Sequence, residues 1–307
     1  MSTVRALRKE EDPVAAGPGG GEPVLVAVTA SPAAAVPVVH NSALLWLRGN
    51  GVSMVLWVIS IGMLLGIWYI GTKYKLEFYI RFTNVPTPGE VLQKLSQVNE
   101  SGKYLLNIGI SVRRILIGFS IAVVLGATLG LLIGRYRLAR DLLFPICEVL
   151  RPIPAIAWVP MAIMLWPTNE VSIVFITFLG SFFPILINTI HGVHSIDPVL
   201  IRAARCLGAS EFRLFANVIL PGAMPHIFTG FSVGMGVAWV SLIAAEMISG
   251  QFGVGYFTWE AYSLVSYAEI GLGMITIGVL GLVCSGVIQV IGRLLMPWSS
   301  YANAGKK

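Results

Sequence analysis

Charged residues are scarce in this 307-residue chain, because Asp, Glu, Lys and Arg together make up only 12% of it. Soluble domains carry about 25% of these residues. Hydrophobic residues supply 56% of the sequence, and the mean hydropathy is +0.79. The composition therefore argues against a soluble enzyme or binding domain and predicts an integral membrane protein.

Sequence signals for metal, nucleotide and nucleic-acid sites are also missing. Cys147, Cys206 and Cys284 lie far apart without metal or disulfide spacing, which favours small core residues. The chain has no G-x-x-x-x-G-K-[ST] loop for nucleotide and no H-E-x-x-H pair for zinc. His191 and His194 have no acidic or cysteine companions. Basic residues lie between apolar stretches rather than in one dense patch. We expect no catalytic residue, no metal, no cofactor bound by this chain and no nucleic-acid partner.

Six apolar stretches of about 20 residues or more are each long enough to cross a hydrocarbon core about 30 Å thick. We therefore predict an all-α polytopic membrane protein with six transmembrane helices. The stretches cover about 53–72, 105–134, 142–166, 171–191, 226–248 and 270–296.

Four segments organise the chain. Residues 1–42 are rich in Ala, Pro, Gly and Val without a persistent period, which indicates a disordered cytoplasmic tail. Residues 43–104 hold the first span and a long external loop, with an amphipathic helix over about Glu90–Val98. Residues 105–298 form the core, which includes a polar loop at 199–225, and residues 299–307 form a C-terminal tail.

Small residues repeat along the second span, which has Arg113 and Arg114 near one end. Gly118, Gly126, Gly130 and Gly134 fall four or eight residues apart, and hence on one helical face. Such a face predicts close helix packing in lipid.

The distribution of Lys and Arg predicts that both termini are cytoplasmic. In that orientation the external basic residues all fall in one long loop, whereas the opposite orientation would export most of the Arg residues. The cytoplasmic set is Arg5, Arg8, Lys9, Arg48, Arg135, Arg137, Arg140, Arg202, Arg205, Arg213, Arg293, Lys306 and Lys307.

The least apolar long stretch of the C-terminal half is 201–225, IRAARCLGASEFRLFANVILPGAMP. Residues 199–219 show helical spacing of apolar positions, and Gly208 permits a bend between two short helices. We expect Pro221 and Pro225 to end the second of them. An ordinary amphipathic loop at the membrane surface is the alternative.

This stretch resembles the cytoplasmic coupling loop, or EAA loop, of permease subunits in ABC importers. The family pattern is Glu-Ala-Ala, three residues, Gly, nine residues, an apolar residue, one residue and Leu-Pro. Arg202 replaces the Glu, while the other positions are in register. The resemblance implies that the residues coupling the chain to an ATPase are Arg202, Ala203, Ala204, Gly208, Ala209, Leu220 and Pro221.

Residues 148–160 contain R-P-x-P-x-x-A-W-x-P, which resembles the third core helix of permeases for nitrate, sulfonates, taurine and bicarbonate. Ala244-Ala245-Glu246-Met247, followed by Gly250 and Gly253-Val254-Gly255, resembles the same subfamily. The resemblance covers about residues 55–298 and implies the type I importer transmembrane fold with cytoplasmic coupling helices.

The resemblance also implies a function and partners. The chain would be the permease subunit of an ATP-driven importer in a prokaryotic inner membrane, moving a small anion such as nitrate, taurine, another sulfonate or bicarbonate. A cationic or neutral nitrogen compound is the alternative solute. The partners would be a second permease copy, an ABC ATPase dimer that holds ATP and Mg, a periplasmic or lipid-anchored solute-binding protein, and lipid.

Arg151 lies about nine residues into the third span, where a charge costs about 2.5–3.5 kcal/mol. It therefore faces protein or water. The favoured interpretation is that Arg151 pairs with Glu148 one turn away, or bonds to the backbone carbonyls that Pro152 and Pro154 leave free. The alternative is that Arg151 supplies positive potential to a pathway for small anions.

Glu246 is a second charge within a predicted span, and a bond to a neighbouring helix is favoured over contact with solute. Trp158, Trp166, Trp239 and Trp259 fit cavity walls, although packing or an interfacial position is the commoner role. The pathway candidates are Glu148, Arg151, Pro152, Pro154, Trp158 and Glu246.

Two other functional classes fit less well. A secondary transporter is expected to show internal repeats and ion ligands at membrane depth, and neither is evident. A membrane-embedded enzyme would need a metal or nucleophile cluster. Co-purification of an ATPase subunit would distinguish the importer from both.

Overall fold

The computed structural model describes residues 42–75, 84–100 and 102–298. The chain divides into two compact units, residues 1–58 and 59–307, and the described part of the first unit is the beginning of helix α1. The predicted tails at 1–42 and 299–307 lie outside the described residues, apart from Ser42, where α1 begins.

The described residues confirm the all-α prediction, since none of them lies in a strand. A 3₁₀ turn at Ala155–Trp158 and a π turn at Phe215–Ile219 interrupt the α-helical series. The helices are α1 Ser42–Lys73, α2 Pro88–Glu100, α3 Lys103–Arg135, α4 Arg137–Leu150, α5 Val159–Leu165, α6 Asn169–His194, α7 Pro198–Cys206, α8 Glu211–Leu214, α9 Leu220–Ser249, α10 Val254–Ser263 and α11 Tyr267–Leu295.

Within the described part of the chain, five helices are long and apolar enough to cross a membrane, and a sixth span results if α4 and the 155–165 segment count as one. These two pieces meet at 85°, so the predicted third span is sharply broken. Arg151-Pro152-Ile153-Pro154 lies at the break, where the prolines lack backbone N–H donors and disfavour a helical residue before them. The predicted amphipathic helix is present as α2, whereas α10 was not predicted.

The expectation that Pro221 and Pro225 end the second short helix is wrong. Helix α8 passes through the π turn directly into α9, with Pro221 in the first turn and Pro225 inside the helix. The Leu220 N–H donates to Phe215 O, five residues back. This wider turn shifts the hydrogen-bond ladder just before Pro221, where a helix tolerates a missing N–H.

The predicted glycine face of α3 packs against α6. A Cβ atom placed on Gly118, Gly126, Gly130 or Gly134 would lie 2.6–3.0 Å from a side-chain atom of α6. The facing residue is in each case 59 positions further along the chain, so α3 and α6 run parallel in constant register. Side chains at these positions would force the two helices apart.

Helix α6 also packs against α9, again through small residues. A Cβ atom on Gly230 would lie 2.8 Å from Asn188, and one on Gly234 would lie 3.0 Å from Ile185. Helix α6 therefore lies between α3 and α9, and Ile173, Ile176 and Ile185 of its buried face join the main apolar cluster. This packing brings together the C-terminal ends of α3 and α6 and the N-terminal end of α9.

Candidate functional site

The polar loop folds as an elbow, here residues 197–219, between the ends of α6 and α9. Asp197 Oδ1 accepts a hydrogen bond from Val199 N at 2.8 Å and so caps α7. Gly208 ends α7 with φ +78°, while Gly208 N donates to Arg205 O and Ala209 N donates to Ala204 O. This pair of bonds is a Schellman motif, which places glycine in the left-handed region. The predicted bend at Gly208 is confirmed.

Glu211, at the start of α8, ties the elbow to the end of α3. Its carboxylate lies 2.5 Å from Arg135 Nη2 of α3 and 2.9 Å from Arg205 Nη2 of α7. Leu214 and Ile219 are fully buried in an apolar cluster with residues from the ends of α6 and α9. The elbow therefore packs against the ends of α6 and α9 and is joined to the end of α3 by an ion pair.

The predicted coupling residues divide into two sets. Arg202, Ala203 and Gly208 are exposed on the elbow, whereas Ala204, Ala209, Leu220 and Pro221 are partly buried. Ala204 packs against the elbow's own apolar cluster.

The elbow also exposes apolar side chains that the sequence pattern did not single out. Leu207 is 88% exposed and Phe212 is 79% exposed. Leu207 immediately precedes Gly208 and Phe212 follows it by four residues, and Arg202 and Arg213 of the same elbow are also exposed. Exposed apolar side chains in a segment that also exposes arginines have the character of a protein-docking surface.

A cavity of about 390 Å³ lies beside the break in the third span. Arg151 and Pro154 border it, and Glu148, the ion-pair partner of Arg151, lies 3.0 Å from Arg151 Nη2. Both side chains of this pair are nearly half exposed, at 43% and 46%. The remaining lining comes from Ile153, Ala155, Leu179, Gly180, Phe183, Pro184, Ile187, Asn188, Val233 and Val237.

The part of α6 that borders this cavity contains a proline. Pro184 has no N–H, so the carbonyl of Gly180 loses its usual helical donor, and both residues border the cavity. The Asn188 amide donates to Pro184 O at 2.8 Å. The cavity lining therefore includes an arginine together with backbone and amide polar groups.

The remaining pathway candidates lie elsewhere. Pro152 is exposed at the break, and Trp158 packs against the main apolar cluster. Glu246 is completely buried and is not part of the lining of the cavity beside Arg151. Its favoured interpretation, a bond to a neighbouring helix, agrees with this geometry.

Glu246 belongs to a buried polar network at the helix ends far from the elbow. Its carboxylate lies 2.8 and 2.9 Å from the Ser111 hydroxyl and accepts from Gly255 N at 2.9 Å. Arg114 Nη1 lies 2.8 Å from Glu246 Oε1. A carboxylate buried with this many donors is compensated both in charge and in hydrogen bonding.

Arg114 connects this network to the first turn of α6. Its Nε and Nη2 atoms both donate to the Glu170 carboxylate, and Nη1 also donates to Phe252 O at 2.7 Å. Gly253 has φ +118°, and a Cβ atom there would collide with the Glu246 carboxylate. Glycine is therefore required where the chain passes closest to Glu246.

Sequence reasoning missed this network, although one part of it leaves a signal. Asn107, Ser111 and Arg114 are spaced i, i+4 and i+7, which places three polar side chains on one face of an apolar helix. All three are buried, and each contacts Glu246 or the chain at 252–254. The Glu170 contact has no comparable sequence signal.

Residues 122–301 match the family described as binding-protein-dependent transport system inner membrane component. The chain belongs to this family. It is accordingly a multi-pass inner-membrane protein and a permease, which is a transport subunit of an ABC transporter.

Curated relatives carry the similarity over most of the chain. The nitrate import permease NrtB of Synechocystis sp. is 34% identical over 248 residues, which are 78% of this chain and 88% of the relative. The bicarbonate transport permease CmpB of Synechococcus elongatus is 37% identical over 187 residues, 61% of this chain and 67% of the relative. A putative ABC transporter permease of Methanocaldococcus jannaschii is 41% identical over 199 residues, 64% of this chain and 74% of the relative.

A solved amino acid ABC transporter, crystallised with histidines, shares the fold. Its TM-score is 0.52 at 17% sequence identity, and the match covers 66% of this chain and 97% of the solved chain. This likeness supports the assignment of the fold.

Proposed function

We propose that this permease forms half of the membrane pathway of an ATP-driven importer for a small anion. A second copy completes the pathway, an ABC ATPase dimer that holds ATP and Mg binds the elbows, and a solute-binding protein delivers the anion at the far end. Both termini lie in the cytoplasm, because this orientation places the Arg-rich elbow and the 135–140 loop inside.

The observation that carries this proposal is the construction of the elbow. It is capped at Asp197 and ends α7 at Gly208, it contacts α3, α6 and α9, and it exposes Leu207 and Phe212. A partner that binds there can move all three long helices together. The exposed Arg202 and Arg213 favour an acidic border around the groove of the ATPase.

Co-purification of the ATPase tests this proposal. We expect Leu207→Asp and Phe212→Asp to reduce the amount of ATPase retained on tagged permease by at least tenfold, because each places a charge in an apolar contact. Leu138→Asp, at the start of α4, is the control, since Leu138 is 81% exposed but lies outside the elbow. Equal ATPase retention in all three variants would refute docking at the elbow.

The anion class follows from the cavity and from the relatives. Arg151 places a positive group at a cavity of about 390 Å³, and the named functions of two relatives concern nitrate and bicarbonate. Uptake of labelled nitrate and bicarbonate by proteoliposomes that contain the complex and its binding protein distinguishes the anion proposal from its alternative. Transport restricted to a cationic or neutral nitrogen compound would overturn the anion assignment.

A further inference from the structure

A second cavity, of about 410 Å³, lies between α9 and α11. Val233 of α9, which is 50% exposed, borders both this cavity and the one beside Arg151. Helix α9 begins at the elbow, and the second cavity reaches back along it to Pro225, so we call it the elbow-side cavity. From Val237 in the first cavity to Pro225 in the second is about 18 Å along the helix. The two cavities are therefore neighbours along α9.

Polar side chains from both helices line the elbow-side cavity. Thr229 and Ser232 belong to α9, and Gln289 and Arg293 belong to α11. Gln289 and Arg293 are four residues apart and hence on one helical face. They are also the only amide and the only basic residue of α11, which is otherwise strongly apolar. No acidic residue is among the described residues that line this cavity, so its lining attracts an anion without an opposing carboxylate.

Most of these polar groups are not engaged by contacts within the chain. Among the residues that the structure describes, Gln289, Arg293 and Ser232 have no side-chain hydrogen bond or ion pair. The Thr229 hydroxyl, by contrast, donates to Pro225 O at 2.9 Å. The guanidinium, amide and Ser232 hydroxyl donors therefore remain available to a ligand in the cavity.

Close packing sets the position of the α11 segment that carries these donors. A Cβ atom on Gly292 would lie 2.9 Å from Phe228 Cδ1 of α9. The Phe228 ring in turn lies 5.2 Å from the Phe231 ring, and both pack against the main apolar cluster. Arg293 and Gln289 are thus placed by a segment that lies directly against α9.

We propose that the elbow-side cavity is a second binding site for the transported anion. Arg293 supplies the positive charge, Gln289 and Ser232 supply hydrogen bonds, and Val233 separates this site from the cavity beside Arg151. The anion occupies the two sites in succession on its way toward the elbow. This inference rests on the anion transport proposed above and adds a site to its pathway.

A reporter thiol measures the potential of the site without any transport. In the complete importer, with Cys147, Cys206 and Cys284 replaced by Ala, Thr229→Cys places a thiol at the cavity. The protein is held in phosphatidylcholine nanodiscs, and its labelling rates with an anionic and a cationic methanethiosulfonate reagent are compared. The ratio of the two rates cancels changes in the thiol's own reactivity. We expect Arg293→Gln to lower the anionic-to-cationic ratio about tenfold and Arg293→Lys to preserve most of it, because lysine keeps the charge.

Added anions test occupancy of the site in the same protein. Sodium nitrate or sodium bicarbonate should slow labelling at least about threefold relative to sodium gluconate at equal ionic strength, because a bound anion blocks the reporter. Arg293→Gln should remove this protection. The matched control is Arg137→Gln, which removes an 87% exposed arginine at the start of α4, outside the lining of both cavities. It should leave the rate ratio and the protection unchanged.

Several results would overturn the second site. One is an equal rate ratio in Arg293→Gln and Arg137→Gln, and another is no protection by an anion that the parent transports. A thiol that neither reagent reaches would show that a second copy of the chain fills the cavity. Protection by phosphatidylglycerol nanodiscs, without protection by nitrate or bicarbonate, would show that the cavity holds a lipid headgroup.

Uptake by the parent importer is a separate readout of the proposed function. If the parent transports neither nitrate nor bicarbonate, the anion function itself fails. If it transports one of them and the rate ratio does not respond to Arg293→Gln, only the second site fails.

Discussion

The buried network makes a quantitative prediction about stability. Arg114→Met removes the cation and leaves Glu246 as a fully buried carboxylate without an opposite charge. Removing one partner of a buried ion pair costs about 3–5 kcal/mol. For a domain of about 250 residues this corresponds to a fall of roughly 6–20 °C in the unfolding temperature.

The same substitution at a second ion pair supplies the comparison. In the Glu148–Arg151 pair both side chains are nearly half exposed, so Arg151→Met should cost only about 0–1 kcal/mol. Unfolding of the purified permease complex, followed by tryptophan fluorescence or by loss of soluble protein on heating, measures both variants under one condition.

A double variant tests whether charge is the cause. Arg114→Met with Glu246→Met removes both members of the buried pair, and apolar replacement of a buried pair is often neutral. We expect the double variant to recover most of the stability lost in Arg114→Met. If Arg114→Met unfolds no earlier than Arg151→Met, or if the double variant is additive, the reasoning about the buried charge is wrong.

Further predictions concern packing, the elbow, the cavity and the tail. Gly130→Ala should destabilise by about 1–3 kcal/mol, because its Cβ would lie 2.6 Å from Thr189, whereas Gly109→Ala, with no atom within 4 Å, should not destabilise; thermal unfolding compares them. Gly208→Val should weaken ATPase retention, and Gly208→Asn, which tolerates positive φ, should preserve it in the same co-purification. Arg151→Gln should slow anion uptake, and Arg151→Lys should restore part of the uptake rate. Equal uptake rates in the Gln and Lys variants would exclude a role for the charge. Deletion of residues 2–40 should leave uptake near normal at matched expression.

Much of the fold follows from local sequence signals. Hydropathy over about 20 residues located the membrane spans, and the spacing of Gly118, Gly126, Gly130 and Gly134 identified the face of α3 that meets α6. The elbow was predictable because α7 ends at Gly208 through two short-range bonds, from Gly208 N to Arg205 O and from Ala209 N to Ala204 O. Each of these features depends on residues that are close together in the chain, so the sequence alone shows their pattern.

Proline shows where local rules reach their limit. Pro152 and Pro154 coincide with the 85° break, yet Pro221 and Pro225 are carried within a continuous helical segment. The π turn displaces the hydrogen-bond ladder before Pro221, whereas Pro225, like Pro184 of α6, lies inside an α-helix. The residue type alone does not specify which outcome a proline has.

The tertiary structure alone decided the role of the buried charges. The sequence placed Arg114 near the end of one span and Glu246 in another, but these residues are 132 positions apart, and Glu170 is 56 positions from Arg114. Only the parallel packing of α3 on α6, together with the contact between α6 and α9, brings the three groups together. The cavity beside Arg151 has the same origin, because its walls come from three separate segments of the chain. A pattern along one helix can show that a polar side chain needs a partner, but which partner it meets depends on how the helices pack.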